Sequence, residues 1–121
     1  MTELVDKAVE AAANAYAPYS KYNVGAVVRT TDGREFAGVN VENAAYPLGQ
    51  CAEKTAIGAA AAAGYRPGDF EAIGITASPC GGCRQWLYEF QIGEITFLSS
   101  NGELVTYSAA DLLPDTWDLP T

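Results

Sequence analysis

Histidine is absent from this 121-residue sequence, and cysteine occurs only three times, at Cys51, Cys80 and Cys83. Without histidine, the chain lacks the side chain that most often serves as a general acid or base and as a metal ligand. An odd number of cysteines, two of them in a C-x-x-C pattern, does not match the disulfide framework of a small secreted protein. In a reducing compartment, the same pattern indicates metal binding or thiol redox chemistry.

Positive charge and long apolar runs are also scarce. Seven lysines and arginines stand against fifteen acidic residues, which gives a formal net charge of -8. Because such a chain repels phosphate backbones, we expect no nucleic-acid polymer as a partner. No apolar run approaches the roughly 20 residues of a membrane-spanning helix, and the first residues lack the basic start and apolar centre of a secretory signal. We therefore expect a cytoplasmic protein with no membrane partner.

The first half of the sequence predicts a helix followed by a hairpin. Apolar residues recur at helical spacing from Glu3 to about Tyr16, and Pro18 ends the run. Two β-rich runs follow, near Val24–Thr30 and Glu35–Val41. They are joined by Asp32-Gly33, a dipeptide typical of tight hairpin turns.

The second half alternates helices and strands. The predicted elements are, in order, a helix from Cys51 to Gly64, a strand in FEAIGITAS, a helix from Gly82 to about Phe90, strands in EITFLSS and ELVTYS, and a short last helix in AADLL. This order predicts one α/β domain over residues 1–121, a three-layer α/β/α sandwich on one mixed sheet of about five strands.

Both cysteine motifs fall at predicted strand-to-helix junctions. Helix N-termini lower thiol pKa values, so we expect these positions to favour the thiolates that bind metals. Three cysteine ligands would leave one position of a tetrahedral zinc site open, as in catalytic zinc sites. Glu53 follows Cys51 by two residues, about 200° round a helix, which suits a neighbour of the metal better than a ligand.

The segment CAE at Cys51, followed 29 residues later by PCGGC at Cys80, resembles the C-x-E…P-C-x-x-C signature of zinc-dependent nucleoside and nucleobase deaminases. The stretches YSKYNVGA, DGREFAGVNVENAAYPLGQCAEKTAI and SPCGGCRQ are similar to those of the small homotetrameric cytidine deaminases. The resemblance runs from about Tyr16 to Pro114. It implies the cytidine deaminase-like form of the α/β/α sandwich.

The resemblance implies a hydrolase of pyrimidine salvage that converts cytidine and deoxycytidine to uridine and deoxyuridine and releases ammonia. One zinc per chain would be held by Cys51, Cys80 and Cys83, and a zinc-bound hydroxide would attack C4 of the base. Glu53 would be the catalytic proton shuttle. The protein would assemble as a homotetramer with a small nucleoside as its substrate.

Further residues receive roles from the same resemblance. Asn40 and Glu42 match positions that hydrogen-bond the ribose hydroxyls, and the backbone amide of Ala52 would face the pyrimidine O2. Tyr22 stands where a phenylalanine usually packs near the nucleoside. Trp117 stands where an aromatic residue reaches a neighbouring subunit's site.

Three thiolates and one zinc dication sum to -1, which weakens the metal as a Lewis acid. Family members usually offset this charge with an arginine directly after the glutamate, whereas this chain has Lys54. Lysine keeps the charge but lacks the bidentate fork of arginine. Arg84 is a second candidate for charge support at the site.

Three other functions stay open from the sequence. A deaminase of a cytosine-bearing antibiotic such as blasticidin S shares the metal signature, although the NVEN segment favours a ribose-bearing nucleoside. A thiol redox domain would use the C-x-x-C without zinc. A non-catalytic zinc-binding domain would have no use for Glu53.

Overall fold

The structure is a computed structural model that describes residues 2–119, with the backbone alone for Thr2. It contains four α-helices, α1 Thr2–Ala12, α2 Ala52–Ala62, α3 Gly81–Glu89 and α4 Ala109–Leu112, and five strands, β1 Gly25–Thr30, β2 Glu35–Val39, β3 Phe70–Ile75, β4 Glu94–Leu98 and β5 Leu104–Tyr107. A short 3-10 helix, Tyr46–Leu48, lies between β2 and α2. Among the described helices, none has the length and apolar character needed to cross a membrane.

The five strands form one mixed sheet in the order β2-β1-β3-β4-β5. Only the β3–β4 pair is parallel, and the chain crosses between these two strands through α3. The other pairs are antiparallel. The hairpin turns contain Gly33 and Gly102, whose φ angles of 91° and 84° suit glycine. The predicted mixed sheet of about five strands is confirmed.

Helices cover both faces of the sheet and approach it closely at glycines. A Cβ atom on Gly25 would lie 2.0 Å from the Ala8 carbonyl oxygen of α1, and one on Gly74 would lie 2.6 Å from the backbone of α1. A Cβ on Gly38 would instead lie 2.4 Å from the Ala52 carbonyl oxygen of α2. The predicted three-layer sandwich is therefore confirmed, with α1 on one face and α2 on the other.

The larger core lies between the sheet and the layer that contains α2 and α3. Its fully buried residues include Val28 of β1, Ile73 and Ile75 of β3, Ile57 of α2 and Leu87 of α3. Because these side chains hold both helices against the same face of the sheet, the N-termini of α2 and α3 lie side by side. The two cysteine motifs begin these two helices.

The first helix is shorter than predicted, because it ends at Ala12 and not near Tyr16. The backbone of Tyr16 pairs with the chain that follows β2: its N–H donates to Asn40 O at 3.0 Å, and its carbonyl accepts from Glu42 N at 2.8 Å. Long-range backbone pairing here overrides the helical pattern. The predicted second strand also ends early, at Val39, and the chain then forms single bridges between Val41 and both Tyr16 and Gln50.

Candidate metal centre and substrate pocket

The two helix N-termini bring the three cysteines together. Cys51 is the N-cap of α2, Cys80 is the N-cap of α3, and Cys83 lies in the first turn of α3. Their sulfur atoms all lie within 4.8 Å of one another, and those of Cys51 and Cys80 are 3.9 Å apart. Tetrahedral zinc–thiolate bonds of about 2.3 Å place sulfurs roughly 3.8 Å apart. The donor set and its spacing therefore suit zinc.

The three thiols differ in their surroundings. Cys83 is buried and Cys51 is half-buried, and in both cases burial raises the thiol pKa above its ordinary value. Cys80 is more exposed; partial burial of its sulfur acts to raise the pKa, but hydrogen bonds from the Cys83 amide and the neighbouring thiols outweigh it and lower the pKa. A lowered thiol pKa is therefore found for Cys80 alone, and the Cys83 amide in the first turn of α3 accounts for part of it. For the metal-free Cys51 and Cys83, desolvation is the larger effect.

Glu53 occupies the first turn of α2 and is only 4% exposed. Burial raises the pKa of its carboxyl group, and the opposing effects of its own backbone amide, the Cys83 thiol and the Lys54 charge are smaller. Glu53 also lines the pocket beside Cys51 and Cys80. Its carboxyl group is thus placed to exchange protons with a molecule in the pocket, and in the metal-free chain its pKa lies above the ordinary value.

Lys54 lies half-buried between the two helix N-termini. A Cβ atom on Gly82 would lie 3.6 Å from Lys54 Nζ and 4.0 Å from Cys80 Sγ, so the ammonium group and the sulfur both border Gly82. The positive charge of Lys54 offsets a small part of the rise that burial causes in the pKa of Glu53. The side chain is therefore near both the thiols and the carboxyl group.

Arg84 points elsewhere. Its guanidinium donates to Pro79 O at 2.9 Å, to Leu112 O at 3.2 Å and to Ser78 Oγ at 3.3 Å. Each of these hydrogen bonds goes to an oxygen atom of the chain. Among the described residues, Arg84 therefore bonds to oxygen atoms, whereas charge support would involve the cysteine sulfurs.

A pocket of about 340 Å³ lies beside Cys51 and Cys80. It is lined by Tyr22, Val24, Asn40, Val41, Glu42, Tyr46, Gly49, Gln50, Cys51, Glu53, Ala77, Ser78 and Cys80. Three of the residues singled out as substrate-binding from the sequence, Tyr22, Asn40 and Glu42, therefore share the pocket with two of the three cysteines. Among the lining residues that the structure describes, two are glutamates and none is lysine or arginine.

Asn40 joins the pocket wall to the start of β1. Its Nδ2 donates to Tyr22 O at 2.8 Å, and its Oδ1 accepts from Val24 N at 2.8 Å. One N–H and one lone pair of the amide are left for a ligand. Asn40 therefore fixes the backbone of Tyr22, whose exposed ring lies at the pocket.

Glu42 holds the neighbouring loop. Its Oε1 accepts hydrogen bonds from Tyr19 N at 3.0 Å and from Ser20 N at 3.1 Å, and its Oε2 accepts from the Ser20 hydroxyl. These bonds, that of the Ser20 hydroxyl above all, lower the pKa of the Glu42 carboxyl group. Glu42 therefore presents a negative charge to the pocket. A second hollow of about 270 Å³ lies beside it, lined in part by Tyr19, Asn43 and Tyr46.

The other two residues predicted to bind the substrate, Ala52 and Trp117, are not among the residues that line the pocket. Ala52 is fully buried, and its N–H belongs to the first turn of α2, where helix N–H groups have no intrahelical acceptor. Trp117 is 68% exposed in the tail after α4 and is not among the lining residues of the pocket in this single chain.

Sequence reasoning missed several lining residues, notably Tyr46, Gln50 and Ser78. The signal was present for all three, since Tyr46 and Gln50 lie in the segment between Asn40 and Cys51 and Ser78 begins the stretch SPCGGCRQ. Backbone bonds of 2.9 Å between Val41 and Gln50 close that segment into a loop at the pocket.

Comparison with known proteins agrees with this site. A family model described as "Cytidine and deoxycytidylate deaminase zinc-binding region" matches residues 1–99. A cytidine deaminase from Sporosarcina psychrophila is 38% identical over 120 residues, which cover 93% of this chain and 87% of that protein.

Solved structures give the same result. The crystal structure of cytidine deaminase from Burkholderia pseudomallei has a TM-score of 0.88 and 45% identity, covering 96% of this chain and 98% of that chain. That of cytidine deaminase from Mycobacterium leprae has a TM-score of 0.79 and 40% identity, covering 94% of this chain and 97% of that chain. With a matching family model over most of its length and such relatives, the chain belongs to the cytidine and deoxycytidylate deaminase family.

Proposed function

We propose that this protein is a zinc-dependent cytidine deaminase, a hydrolase that converts cytidine and deoxycytidine to uridine and deoxyuridine with release of ammonia. The observation that carries the proposal is a cluster of three thiols, two of which, Cys51 and Cys80, line one pocket with the buried Glu53, in a chain of this family. One zinc ion per chain, held by Cys51, Cys80 and Cys83, supplies Lewis-acid activation of a water molecule at neutral pH.

Glu53 moves the protons of the reaction. Its carboxylate accepts a proton from the attacking water and delivers it to N3 of the pyrimidine ring as the oxygen bonds to C4. It then assists transfer of the proton of the new C4 hydroxyl to the amino group, which leaves as ammonia while C4 becomes a carbonyl carbon. Because Glu53 is held in the first turn of α2, the same helix N-terminus positions both Cys51 and the proton shuttle. A group that both accepts and donates works best when it is fixed within hydrogen-bonding reach of its partners.

The charges of the pocket favour a nucleoside over a nucleotide. Its wall carries Glu42 and Glu53 and, among the lining residues described, no basic side chain. A 5′-phosphate would have no cationic partner there and would be repelled by Glu42, since like charges in a partly desolvated site are costly. We therefore assign nucleosides, not deoxycytidylate, as the substrates of this member of the family.

The ribose and the base have separate partners in this proposal. Glu42 and the remaining N–H and lone pair of Asn40 bind the ribose hydroxyls, while the Ala52 amide donates to the pyrimidine O2. The ring of Tyr22, held by Asn40, packs beside the nucleoside. Lys54 offsets part of the thiolate charge.

The assembly we propose is a homotetramer. Several large apolar side chains are strongly exposed in the single chain, including Tyr46 at 81% and Trp117 at 68%. Exposed alanines also lie at the end of α2, namely Ala59, Ala62 and the C-cap residue Ala63. Contact between copies would cover this surface and bring Trp117 to a neighbouring pocket. Sedimentation equilibrium tests this: a mass of four chains is expected, and a stable monomer would contradict it.

We place the reaction in pyrimidine salvage in the cytoplasm. Its substrates are free nucleosides, and a reducing compartment keeps all three thiols available to zinc. Cell fractionation with an antibody to the protein tests the location, and recovery from an oxidising compartment would contradict it.

A substrate panel tests the function. Purified protein of known zinc content is incubated with cytidine, deoxycytidine, deoxycytidine 5′-monophosphate and blasticidin S while ultraviolet absorbance is followed. We expect turnover of both nucleosides, near one zinc per chain, and a kcat/KM for the monophosphate lower by at least about 100-fold. Turnover of blasticidin S alone would support the deamination chemistry but contradict the assignment of nucleosides as substrates. If the zinc-loaded protein turned over none of these compounds, the proposal that it is a deaminase would be wrong.

A further inference from the structure

The Arg84 side chain, from α3, bonds to two other segments of the chain near the metal centre. Its Nε donates to Pro79 O at 2.9 Å and its Nη2 donates to Ser78 Oγ at 3.3 Å, both in the segment that leads into Cys80. Its Nη1 donates to Leu112 O at 3.2 Å, at the end of α4. Its own backbone N–H donates to Cys80 O at 3.0 Å, and Arg84 directly follows Cys83 in the chain.

The contact with Pro79 acts directly on Cys80. The carbonyl of Pro79 belongs to the same planar peptide unit as the backbone nitrogen of Cys80. Fixing that oxygen therefore fixes the plane from which the Cys80 side chain extends. The N-cap geometry of Cys80, with φ -70° and ψ 170°, receives no support from its own side chain among the described residues. Arg84 supplies this support from four residues further along the helix.

The contact with Leu112 provides an anchor outside the segment from Ser78 to Cys80, which we call the Cys80 loop. Helix carbonyls at a C-terminus have no intrahelical donor, and α4 is only four residues long. The Leu112 side chain is 7% exposed and belongs to the larger core. Arg84 thus links the Cys80 loop to the Leu112 carbonyl group, which the core already holds in place.

We propose that Arg84 is a positioning residue whose planar fork holds the Cys80 loop against α4 and so sets the geometry of the cysteine cluster. It acts by the directions of its hydrogen bonds and not by its charge. This inference rests on the proposed zinc site. It replaces charge support as the role of Arg84, because its described hydrogen bonds lead to three oxygens in two segments of the chain.

Two substitutions separate the two roles. Lysine at position 84 keeps the charge but cannot reach three acceptors in fixed directions, whereas glutamine removes the charge as well. The experiment measures the rate of zinc release from the zinc-loaded protein to a chromophoric chelator, and the thiolate-to-metal absorption of the cobalt-substituted protein. We expect Arg84→Lys and Arg84→Gln to accelerate release alike, by about 10-fold to 100-fold, as loss of a group that orients metal ligands does.

Arg66 offers a matched control. This exposed arginine also donates to two backbone carbonyls, Ala61 O at 2.9 Å and Tyr65 O at 2.8 Å, but at the far end of α2. Arg66→Lys and Arg66→Gln should leave zinc release and the cobalt spectrum unchanged. Release that is unchanged in Arg84→Lys and faster only in Arg84→Gln would overturn the inference in favour of charge.

Ser78→Ala removes one acceptor from an exposed site and so avoids any question of folding. We expect about threefold faster release, as for loss of a single hydrogen bond, and no further acceleration when it is combined with Arg84→Lys. Effects that simply multiply would show that the two residues act independently and would overturn the inference. Wild-type protein without zinc would overturn the proposed function as well, whereas an active zinc enzyme with unaffected Arg84 variants would overturn this inference alone.

Discussion

The N-termini of α2 and α3 share one capping geometry but hold their functional residues in different ways. Each is capped by a cysteine in extended conformation, Cys51 with φ -79° and ψ 157° and Cys80 with φ -70° and ψ 170°. The α2 end is tightly packed and continues into the buried Glu53. The α3 end continues into two exposed glycines and depends on a distant arginine side chain for support. One junction therefore holds a proton-transferring group by burial, and the other holds an accessible metal-binding loop by hydrogen bonds.

The largest expected effect comes from removing either capping cysteine. Cys51→Ala and Cys80→Ala each leave two thiolates, too few for a catalytic zinc site that needs three protein ligands. Both variants should retain no zinc after dialysis and show no measurable deamination. Zinc analysis and turnover with added zinc check this. If one variant kept its metal and activity, that cysteine would not be a ligand and the two junctions would not share one site.

Next in size is the pH dependence of zinc binding. Burial raises the pKa of Cys51 and Cys83 in the metal-free chain, so these thiols carry protons at neutral pH and release them when zinc binds. Zinc affinity should therefore rise with pH, by about 100-fold per unit if both protons leave. Competition titrations from about pH 6 to about pH 8, with calorimetry in two buffers, measure this. An affinity independent of pH would show that the thiols are already ionised.

Lys54 gives a smaller effect at the α2 junction. Lys54→Met removes the positive charge near the thiols and Glu53, and we expect kcat to fall by about tenfold. Lys54→Arg keeps the charge and should stay within about threefold of wild type. Exposed Lys21, changed to Met, is the control. Wild-type kcat in Lys54→Met would exclude charge support from this residue.

The smallest effect is expected at Gly82 of the α3 junction. A Cβ there would meet Lys54 Nζ at 3.6 Å, an ordinary contact, so Gly82→Ala should change the free energy of unfolding by less than about 0.5 kcal/mol. The contrasting variant is Gly38→Ala, whose Cβ would lie 2.3 Å from Ala56 N of α2. Its overpacking should destabilise the protein by about 3 kcal/mol. Denaturant unfolding compares them, and equal losses would show that the two junctions are equally packed.

The sequence predicted those parts of the fold that depend on local chemistry. Asp32-Gly33 forms the expected hairpin turn, with a positive φ at the glycine, and the strands on either side of it pair as antiparallel neighbours. The predicted end of α1 near Tyr16 was wrong, because the backbone of Tyr16 pairs with a segment more than twenty residues away. That pairing has no local signal.

The candidate site divides in the same way. Three cysteines and a glutamate at fixed spacings could be assigned from chemistry and resemblance, and the structure brings them together. The partners of Arg84 could not, because Leu112 is 28 residues away and offers only a backbone carbonyl. The side-chain bonds of Asn40 to the backbone of Tyr22 and Val24 were missed for the same reason. Backbone donors and acceptors carry no residue-type signal in a sequence.

The most direct test of the account is Glu53→Gln, with zinc content and cytidine turnover measured on the same preparation. The exposed helical glutamate Glu10, changed to Gln, is the matched control. The account predicts near one zinc per chain in both variants, wild-type turnover in Glu10→Gln, and a kcat lower by about 100-fold to 10,000-fold in Glu53→Gln. A zinc-loaded Glu53→Gln protein that deaminates cytidine at the wild-type rate would contradict the role of this buried carboxyl group.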